Sequence, residues 1–237
     1  MTRPADDRMQ CICLDVEGVI LPELWMALGR KFGLDALLET TRDTPDLDRL
    51  MAQRIGALRA ADIRYRDVRA ALEDVQPLEG AREFLGALCQ ARPLMLVSDS
   101  FYELLLPQLR TFGRPAVTCH NLLVDDTGFI AGWRRLSPGH KPAVVRAFQK
   151  LGFQVAAAGD SFNDIGMLEA ADAGYFIHAP PAIRMRYPDI PACATLEQLK
   201  DRLLDGCHYP PNPMASRGSH DPKSLIREYG PGLDETA

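Results

Sequence analysis

The sequence lacks the features that mark membrane-spanning, secreted and nucleotide-loop proteins. No apolar stretch in its 237 residues approaches the roughly 20 residues needed to span a bilayer. The amino-terminal segment MTRPADDRM is polar and acidic, so it does not resemble a signal peptide. Neither a GxxxxGK[ST] nor a GxGxxG loop is present. We therefore expect a cytoplasmic protein that has no membrane partner.

The sequence also lacks an excess of basic charge and any clear metal-ligand spacing. Lys and Arg number 27 against 32 Asp and Glu, a formal net charge of -5, which argues against a nucleic-acid partner. The six cysteines form no zinc pattern and no CxxC pair, and Cys11 and Cys13 are expected to be packed free thiols. The histidines are expected to form no cluster: His120, His140, His178, His208 and His220.

What the sequence does contain is an alternation of short apolar runs and helical patterns. The runs show no polar alternation, as is typical of strands buried on both faces of a parallel sheet: Cys11–Leu14, Leu94–Val97, Val155–Ala158 and Tyr175–Ile177. The helical patterns between them are Ala81–Gln90, Tyr102–Phe112, Pro142–Leu151 and Asn163–Ala170. The alternation predicts an α/β fold with a doubly wound parallel sheet. The segment LLVDDTGFIAGW predicts a hairpin that turns at Asp126-Thr127-Gly128.

Residues 22–77 interrupt this alternation, because nothing in them reads as a strand. PELWMALGRKFGL is helical in pattern, and TPDLDRLMAQRIGALRA predicts a helix with Thr44 as N-cap and Pro45 at its first position. We predict a small helical cap inserted after the first strand, over that strand's carboxyl end. The core then comprises residues 1–21 and 78–205. Residues 206–237, rich in Pro, Gly, Ser and charge, are predicted to be a flexible tail.

Acids and a hydroxyl stand where the predicted strands end. Taken singly, each of these side chains is as well explained by a helix cap, a turn or a surface charge. Because ligands bind outside the carboxyl ends of strands in open α/β sheets, their convergence favours a site. Clustered carboxylates favour a hard divalent cation such as Mg²⁺, and nearby Lys and hydroxyl donors suit a phosphate dianion. The residues are Asp15, Glu17, Ser98, Asp99, Lys141, Asp160, Asn163 and Asp164.

Four segments carry a resemblance to a known family. LDVEGV, LVSDS, Lys141 and GDSFND resemble, in order and context, the four motifs of the haloacid dehalogenase superfamily of phosphatases and phosphotransferases. The insertion resembles the cap of its phosphoserine phosphatase branch. CLDVEGVILPELW, TTRDTPD, VSDSFYE and AAGDSFNDIGML are similar to the bifunctional phosphoserine phosphatase/homoserine phosphotransferases of that branch. The resemblance implies a Rossmann-like core, Mg²⁺ as cofactor, and O-phospho-L-serine and L-homoserine as small-molecule substrates.

The resemblance also implies roles at the phosphoryl site. Asp15 becomes the nucleophile that forms an aspartyl-phosphate, and Glu17 the general acid and base. Mg²⁺ is held by the Asp15 carboxylate, the Glu17 backbone carbonyl and Asp160, while Asp164 orients the waters of the metal. The remaining positions bind the phosphoryl oxygens or lie beside the substrate: Ser98, Lys141 and Asn163.

In the predicted cap, Arg54 lies in an apolar stripe with Leu50, Met51 and Leu58, where a bare guanidinium is costly. An internal ion pair or snorkelling at the edge of the stripe explains it on sequence alone. The resemblance implies instead that Arg54 binds the carboxylate of the substrate, and that Glu23 pairs with its ammonium.

Two residues depart from the family pattern. Glu17 stands where an Asp is usual, and Asp99 where the phosphatases often have Gly; we expect Asp99 to hold the ammonium of an acceptor amino acid. Two alternatives remain open at this point. The chain is a phosphatase for another small phosphomonoester, or it is a metal- or phosphate-binding regulatory protein on the same fold.

Overall fold

The computed structural model describes residues 9–40 and 46–205. A seven-stranded sheet runs through this part of the chain in the order β4-β3-β2-β1-β5-β6-β7. The strands are β1 (Gln10–Leu14), β2 (Leu94–Phe101), β3 (Val117–Val124), β4 (Ile130–Arg134), β5 (Gln154–Gly159), β6 (Ala173–Ile177) and β7 (Ala192–Cys193). All neighbouring strands are parallel except β3 and β4, which form the predicted hairpin. The α/β fold with a doubly wound, mostly parallel sheet is confirmed.

Nine α-helices accompany the sheet within the described ranges. They are α1 (Leu24–Phe32), α2 (Leu47–Ala60), α3 (Tyr65–Glu73), α4 (Ala81–Ala91), α5 (Tyr102–Thr111), α6 (His140–Lys150), α7 (Ile165–Ala170), α8 (Pro181–Arg186) and α9 (Leu196–Asp205). Two short 3₁₀ helices span Asp35–Leu37 and Phe162–Asp164. The second begins the helical pattern predicted from Asn163, so only its later part is α-helical.

Alternation along β1 divides the core between the two faces of the sheet. Cys11 and Cys13 pack with buried residues of α6, α7 and α8, whereas Ile12 and Leu14 pack with α4, α5, α9 and the helices after β1. Both cysteines are buried and form no disulfide, as expected for packed free thiols. With helices on both faces, β1 is buried on both sides, which explains its unbroken apolar sequence. In the described ranges no helix is long and apolar enough to cross a bilayer.

The second strand is longer than its sequence indicated. We expected it to end at Ser98 and Asp99, but β2 continues to Phe101, and its pairing with β3 shifts register between Val97 and Phe101. The expected end was wrong because the polar pair reads as a strand end, while the backbone continues past an irregularity. Ser98 and Asp99 therefore lie inside β2, in the part where its pairing is irregular, and close to α6.

The described residues of the insertion after β1 contain no strand and form α1, a 3₁₀ turn, α2 and α3 with short connections. The predicted helix start at Thr44 and Pro45 falls outside the described residues. The helix itself begins at Leu47, and the Asp46 carboxylate caps it by accepting from the backbone N–H groups of Asp48 and Arg49 at 2.9 and 3.2 Å. The expected start was therefore wrong by two residues, because Asp46 is as good an N-cap as Thr44.

The two ends of the insertion meet beside the core. The backbone N–H of Leu78 donates to the carbonyl of Ile20 at 3.0 Å, so the chain leaves and re-enters at one place. The division into a core of residues 1–21 and 78–205 and a cap of residues 22–77 stays a prediction. The predicted tail, residues 206–237, lies outside the described residues.

Candidate active site

The centre of the candidate site is a contact between a strand end and a helix start. Asp15 directly follows β1, where the sheet winds to β2 on one side and β5 on the other. Its backbone N–H donates to Ala158 at 3.0 Å, which continues the pairing with β5. Its carboxylate Oδ1 accepts from Nζ of Lys141 at 2.8 Å, and Lys141 is the second residue of α6. Both side chains are about 95% buried, at 5% and 4% exposure.

Lys141 is shared among three carboxylates. Its Nζ also donates to Asp164 Oδ1 at 2.7 Å and lies 3.2 Å from Asp99 Oδ2. Burial alone lowers the pKa of Lys141, but these carboxylates outweigh it and raise that pKa well above its usual value. Burial and the charge of Asp164 raise the pKa of Asp15, and Lys141 offsets only part of this rise. One ammonium is therefore too little positive charge for the carboxylates around it.

A metal ion fits beside this ammonium. Asp15, Asp160 and Asp164 each offer a carboxylate oxygen, and these oxygens lie within 4.8 Å of one another. Hard oxygen donors at such spacing suit Mg²⁺. Asp164 is fully buried, and its Oδ2 accepts from the backbone N–H groups of Asp160 and Ser161 and from the Ser161 hydroxyl, each at 3.0 Å. Asp164 is thus held rigidly in place.

Two glycines make room for these carboxylates. At Gly18, where φ is +80°, an added Cβ lies 2.3 Å from Oδ2 of Asp160, and at Gly159 an added Cβ lies 2.4 Å from Cγ of Asp164. Neither approach is possible for a residue with a side chain unless the carboxylates move. At both glycines the main chain therefore packs directly against a carboxylate. This close packing of acidic groups supports the fit of a cation there.

Glu17 occupies a different environment two residues after Asp15. Its Oε1 accepts from the backbone N–H of Leu24, the first residue of α1, at 2.6 Å. Burial, followed by the charge of Glu23, raises the pKa of Glu17 to about 7. The Ser100 hydroxyl lies close enough to lower that pKa in part, although it makes no hydrogen bond of ordinary geometry. A carboxyl group with a pKa near neutrality both donates and accepts a proton at physiological pH.

Arg54 is buried between the helices of the insertion, at 6% exposure. Its Nη2 donates to the carbonyl of Glu39 at 2.7 Å, and its Cζ lies 4.8 Å from the ring centroid of Trp25. Burial lowers the pKa of Arg54 to about 10, against the raising effect of Glu17 and Glu23. Over the two described ranges it forms no ion pair within 4 Å, and it is too buried to snorkel. Among the described residues, neither an internal ion pair nor snorkelling therefore explains the position of Arg54.

The other predicted positions lie at the edge of this group. Ser98 is buried, and its hydroxyl accepts from the backbone N–H of Ser100 at 3.1 Å. Glu23 is exposed just before α1, and Asn163 is exposed in the 3₁₀ helix beside Asp164. Within residues 9–40 and 46–205, the side chains of Glu23 and Asn163 form no hydrogen bond or ion pair. The structure brings Asp15, Asp99, Lys141, Asp160 and Asp164 together, whereas no hydrogen bond or ion pair among the described residues joins the side chains of Ser98, Glu23 and Asn163 to this group.

Two histidines lie side by side, although neither joins the group of carboxylates that could hold a metal ion. The rings of His120 and His140 lie 5.3 Å apart, and both face Asp99 Oδ1, at 4.0 Å from His120 Nε2 and 3.9 Å from His140 Nδ1. Burial lowers the pKa of each histidine. Sequence reasoning missed them because they are 20 residues apart, on β3 and α6. The one available signal was the position of His140 immediately before Lys141.

Comparison with known proteins agrees with this geometry. The profile of the haloacid dehalogenase-like hydrolase family matches residues 5–169. Phosphoserine phosphatase ThrH of Pseudomonas aeruginosa is 41% identical over 196 residues, 83% of this chain and 96% of that protein. Phosphoserine phosphatase of Pseudomonas syringae pv. tomato is 39% identical over 83% of each chain.

Among solved structures, a phospho-aspartyl intermediate analogue of phosphoserine phosphatase superposes with a TM-score of 0.67. It covers 83% of this chain and 98% of its own at 20% sequence identity, a level at which the likeness concerns the fold. The acids at the strand ends, the lysine at the start of α6 and the matched profile agree with one another. The chain therefore belongs to the haloacid dehalogenase-like hydrolase family.

Proposed function

We propose that the protein is a Mg²⁺-dependent phosphoserine phosphatase that works through an aspartyl-phosphate and also transfers the phosphoryl group to homoserine. The observation that carries the proposal is the buried Asp15 carboxylate, 2.8 Å from the Lys141 ammonium and grouped with Asp160 and Asp164. The two Pseudomonas relatives are named as phosphoserine phosphatases, which supports the choice of substrate.

In the first half-reaction an oxygen of Asp15 attacks phosphorus, and the bond from phosphorus to the serine oxygen breaks. Lys141 Nζ and the Ser98 hydroxyl bind the phosphoryl oxygens, and the ammonium offsets the negative charge that develops on them. Glu17, with a pKa near 7, donates its proton to the departing serine oxygen. The contact with the Leu24 N–H fixes the Glu17 carboxyl while it does so.

In the second half-reaction Glu17 is a carboxylate and takes a proton from the incoming acceptor. The oxygen of that acceptor, either water or the homoserine hydroxyl, attacks phosphorus, and the bond from phosphorus to Asp15 breaks. Water gives phosphate, and homoserine gives phosphohomoserine. The same two carboxylates therefore serve both half-reactions with opposite proton transfers.

The residues that would hold Mg²⁺ are Asp15, the backbone carbonyl of Glu17, and Asp160. Asp164 would orient the waters of the metal rather than bind the metal directly, since its Oδ2 already accepts from three donors and its Oδ1 from Lys141. When bound, the cation supplies positive charge that keeps Asp15 ionised and polarises the phosphoryl group.

Residues of the insertion, of β2 and of the second 3₁₀ helix are proposed to contact the substrates. Arg54 binds the carboxylate of phosphoserine, Glu23 pairs with its ammonium, and Asn163 lies beside the phosphate. Asp99, whose side chain is 39% exposed, holds the ammonium of the acceptor homoserine. The test of that last role is Asp99→Asn: the concentration of homoserine that half-saturates transfer should rise, and an unchanged value rejects it.

The decisive experiment measures phosphate release from O-phospho-L-serine with Mg²⁺ and with chelator, followed by phosphohomoserine formation when homoserine is added. We expect turnover only with Mg²⁺, and its loss in Asp15→Asn but not in the matched surface variant Asp189→Asn. Absence of turnover at every phosphoserine concentration rejects the substrate. Turnover without any phosphohomoserine rejects the transfer activity alone.

The alternative within the same chemistry is another small phosphomonoester, such as a sugar or amino-alcohol phosphate. Arg54 decides between them, because only a substrate with a carboxylate needs it. Arg54→Met should raise KM for phosphoserine strongly, whereas the exposed Arg49→Met on the same helix should not. The regulatory-protein alternative is not retained, because the chain belongs to a hydrolase family and is about 40% identical to named phosphatases.

A further inference from the structure

Buried polar atoms without hydrogen-bond partners gather at one place in the molecule. In the described ranges four such side-chain atoms occur, and three belong to residues near Glu17: Trp25 Nε1, Arg54 Nε and Ser100 Oγ. Their residues are 5%, 6% and 3% exposed, so solvent does not readily satisfy them. Buried polar groups are nearly always paired, and a group of exceptions beside a reactive carboxyl indicates a missing ligand.

Two of these residues, Arg54 and Trp25, contact each other, and Trp25 contacts the chain neighbour of the third. The Arg54 guanidinium stacks on the Trp25 ring, with Cζ 4.8 Å from its centroid. That ring meets Phe101, the neighbour of Ser100, edge to face at a centroid distance of 6.3 Å. Trp25 also follows Leu24, whose N–H binds Glu17. The three residues with unpartnered atoms therefore lie near Glu17.

The chemistry of the two nitrogens defines what they bind. An indole N–H and a guanidinium N–H are donors only, so the missing partner is an acceptor, and the charge of Arg54 makes an anion the favoured one. The phosphoryl group is already placed at Asp15 and Lys141. The acceptor is therefore a second anionic group of the substrate, separate from the phosphate.

We propose that the indole N–H of Trp25 is a second hydrogen-bond donor to the substrate carboxylate, which makes Trp25 a specificity-determining residue. This rests on the proposed action on phosphoserine and deepens it. A phenylalanine would also stack on Arg54, although more weakly, and would leave no unpartnered donor. The N–H is thus the property that distinguishes tryptophan here, and a bound carboxylate oxygen satisfies it.

The test compares two substrates that differ in the carboxylate. O-phosphoethanolamine keeps the phosphate and ammonium of O-phospho-L-serine but has no carboxylate. For Trp25→Phe we expect KM for phosphoserine to rise about tenfold or more, since a hydrogen bond to a charged group is lost, with a smaller change in kcat. KM for phosphoethanolamine should stay within about twofold. Trp133→Phe, on the half-buried strand β4, is the matched control and should leave both values unchanged.

Each other outcome overturns the inference, and the outcomes separate it from the proposed function. An equal rise in KM for both substrates, or no rise for either, means that the Trp25 N–H does not bind the substrate carboxylate. A wild-type enzyme without preference for phosphoserine rejects the proposed substrate as well. If Trp25→Phe does not fold, benzothienylalanine at position 25, in the Trp133→Phe background, keeps the shape of the ring and removes only the N–H. The same tenfold split between substrates is then required.

Discussion

Replacing Lys141 by methionine tests how the candidate site holds its charges. Methionine keeps much of the length of the side chain but removes the ammonium that contacts Asp15 at 2.8 Å, Asp164 at 2.7 Å and Asp99 at 3.2 Å. Two of these carboxylates are almost fully buried and lose their only cationic neighbour within 4 Å among the described residues. The variant should therefore be much less stable than the wild type when no metal is present.

The expected loss follows from the burial of the pair. Removing one partner of a buried ion pair costs about 3–5 kcal/mol, because the other charge stays buried without compensation. The pKa of Lys141 is raised in the folded protein, so its stabilisation is complete below the ordinary lysine pKa and is lost only at higher pH. At pH 8 the full contribution is present in the wild type. Catalysis should fall about 10²- to 10³-fold as well, because a preorganised donor to the phosphoryl group is removed.

The pH dependence of the loss has a definite sign. The pKa of Asp15 is already raised by burial and by Asp164, and without Lys141 it rises further. A carboxyl group whose pKa is raised by folding destabilises the fold as pH increases, because the unfolded state then binds fewer protons than the folded state. The difference between variant and wild type should therefore be smaller at pH 5 than at pH 8, because a lower pH favours the protonated form of Asp15.

The assay is urea unfolding in the presence of chelator, monitored by tryptophan fluorescence, at pH 5 and at pH 8. Lys150→Met is the matched control, because Lys150 is the exposed last residue of the same helix, and it should change the unfolding free energy by less than about 0.5 kcal/mol. If Lys141→Met is as stable as Lys150→Met at pH 8, the reasoning about shared buried charge is refuted.

Three further outcomes test other parts of the site. Glu17→Asp shortens the arm that reaches the Leu24 N–H, and we expect the ratio of hydrolysis to homoserine transfer to rise by roughly fivefold, about 1 kcal/mol; an unchanged ratio assigns acceptor choice to the insertion. Gly18→Ala places a Cβ against Asp160 at a residue whose φ is +80°, and it should cost about 1–3 kcal/mol of stability. It should also weaken Mg²⁺ binding, as measured by thermal-shift titration. Burial lowers the pKa of His120, so unfolding free energy should fall as pH drops through 6.5, and His120→Gln should flatten that fall in urea melts at pH 7.5 and 5.5. An equally steep fall in the variant contradicts this origin.

Much of the sheet was predictable because parallel strands buried on both faces leave unbroken apolar runs. β1, β2, β5 and β6 all show this signature. β3 does not, because buried and exposed residues mix along it near the hairpin. β7 is only two residues long, too short for any pattern. Prediction thus succeeded where burial on both faces fixed the residue types; toward the edges of the sheet it found the β3–β4 hairpin from its turn residues and missed β7.

The site was predictable to the extent that strand ends converge by topology. That rule brought Asp15, Asp160 and Lys141 to one place without any knowledge of side-chain geometry. It could not show that Glu17 is held by a backbone N–H of the insertion, or that Trp25 carries an unpartnered donor. Both depend on how the helices after β1 seat against the core, which periodicity does not specify.

The neighbourhood of Asp99 links these observations to the choice of acceptor. Its Oδ2 competes with Asp15 and Asp164 for Lys141, while its Oδ1 lies too far from His120 and His140 for a hydrogen bond. Because burial lowers the pKa of both histidines, neither carries a charge that neutralises Asp99 at neutral pH. The half-buried Asp99 carboxylate shares one ammonium with two other carboxylates, so it repels a phosphate bound beside it unless a cationic group of a ligand approaches. An acceptor that brings its own ammonium relieves that repulsion, and water does not.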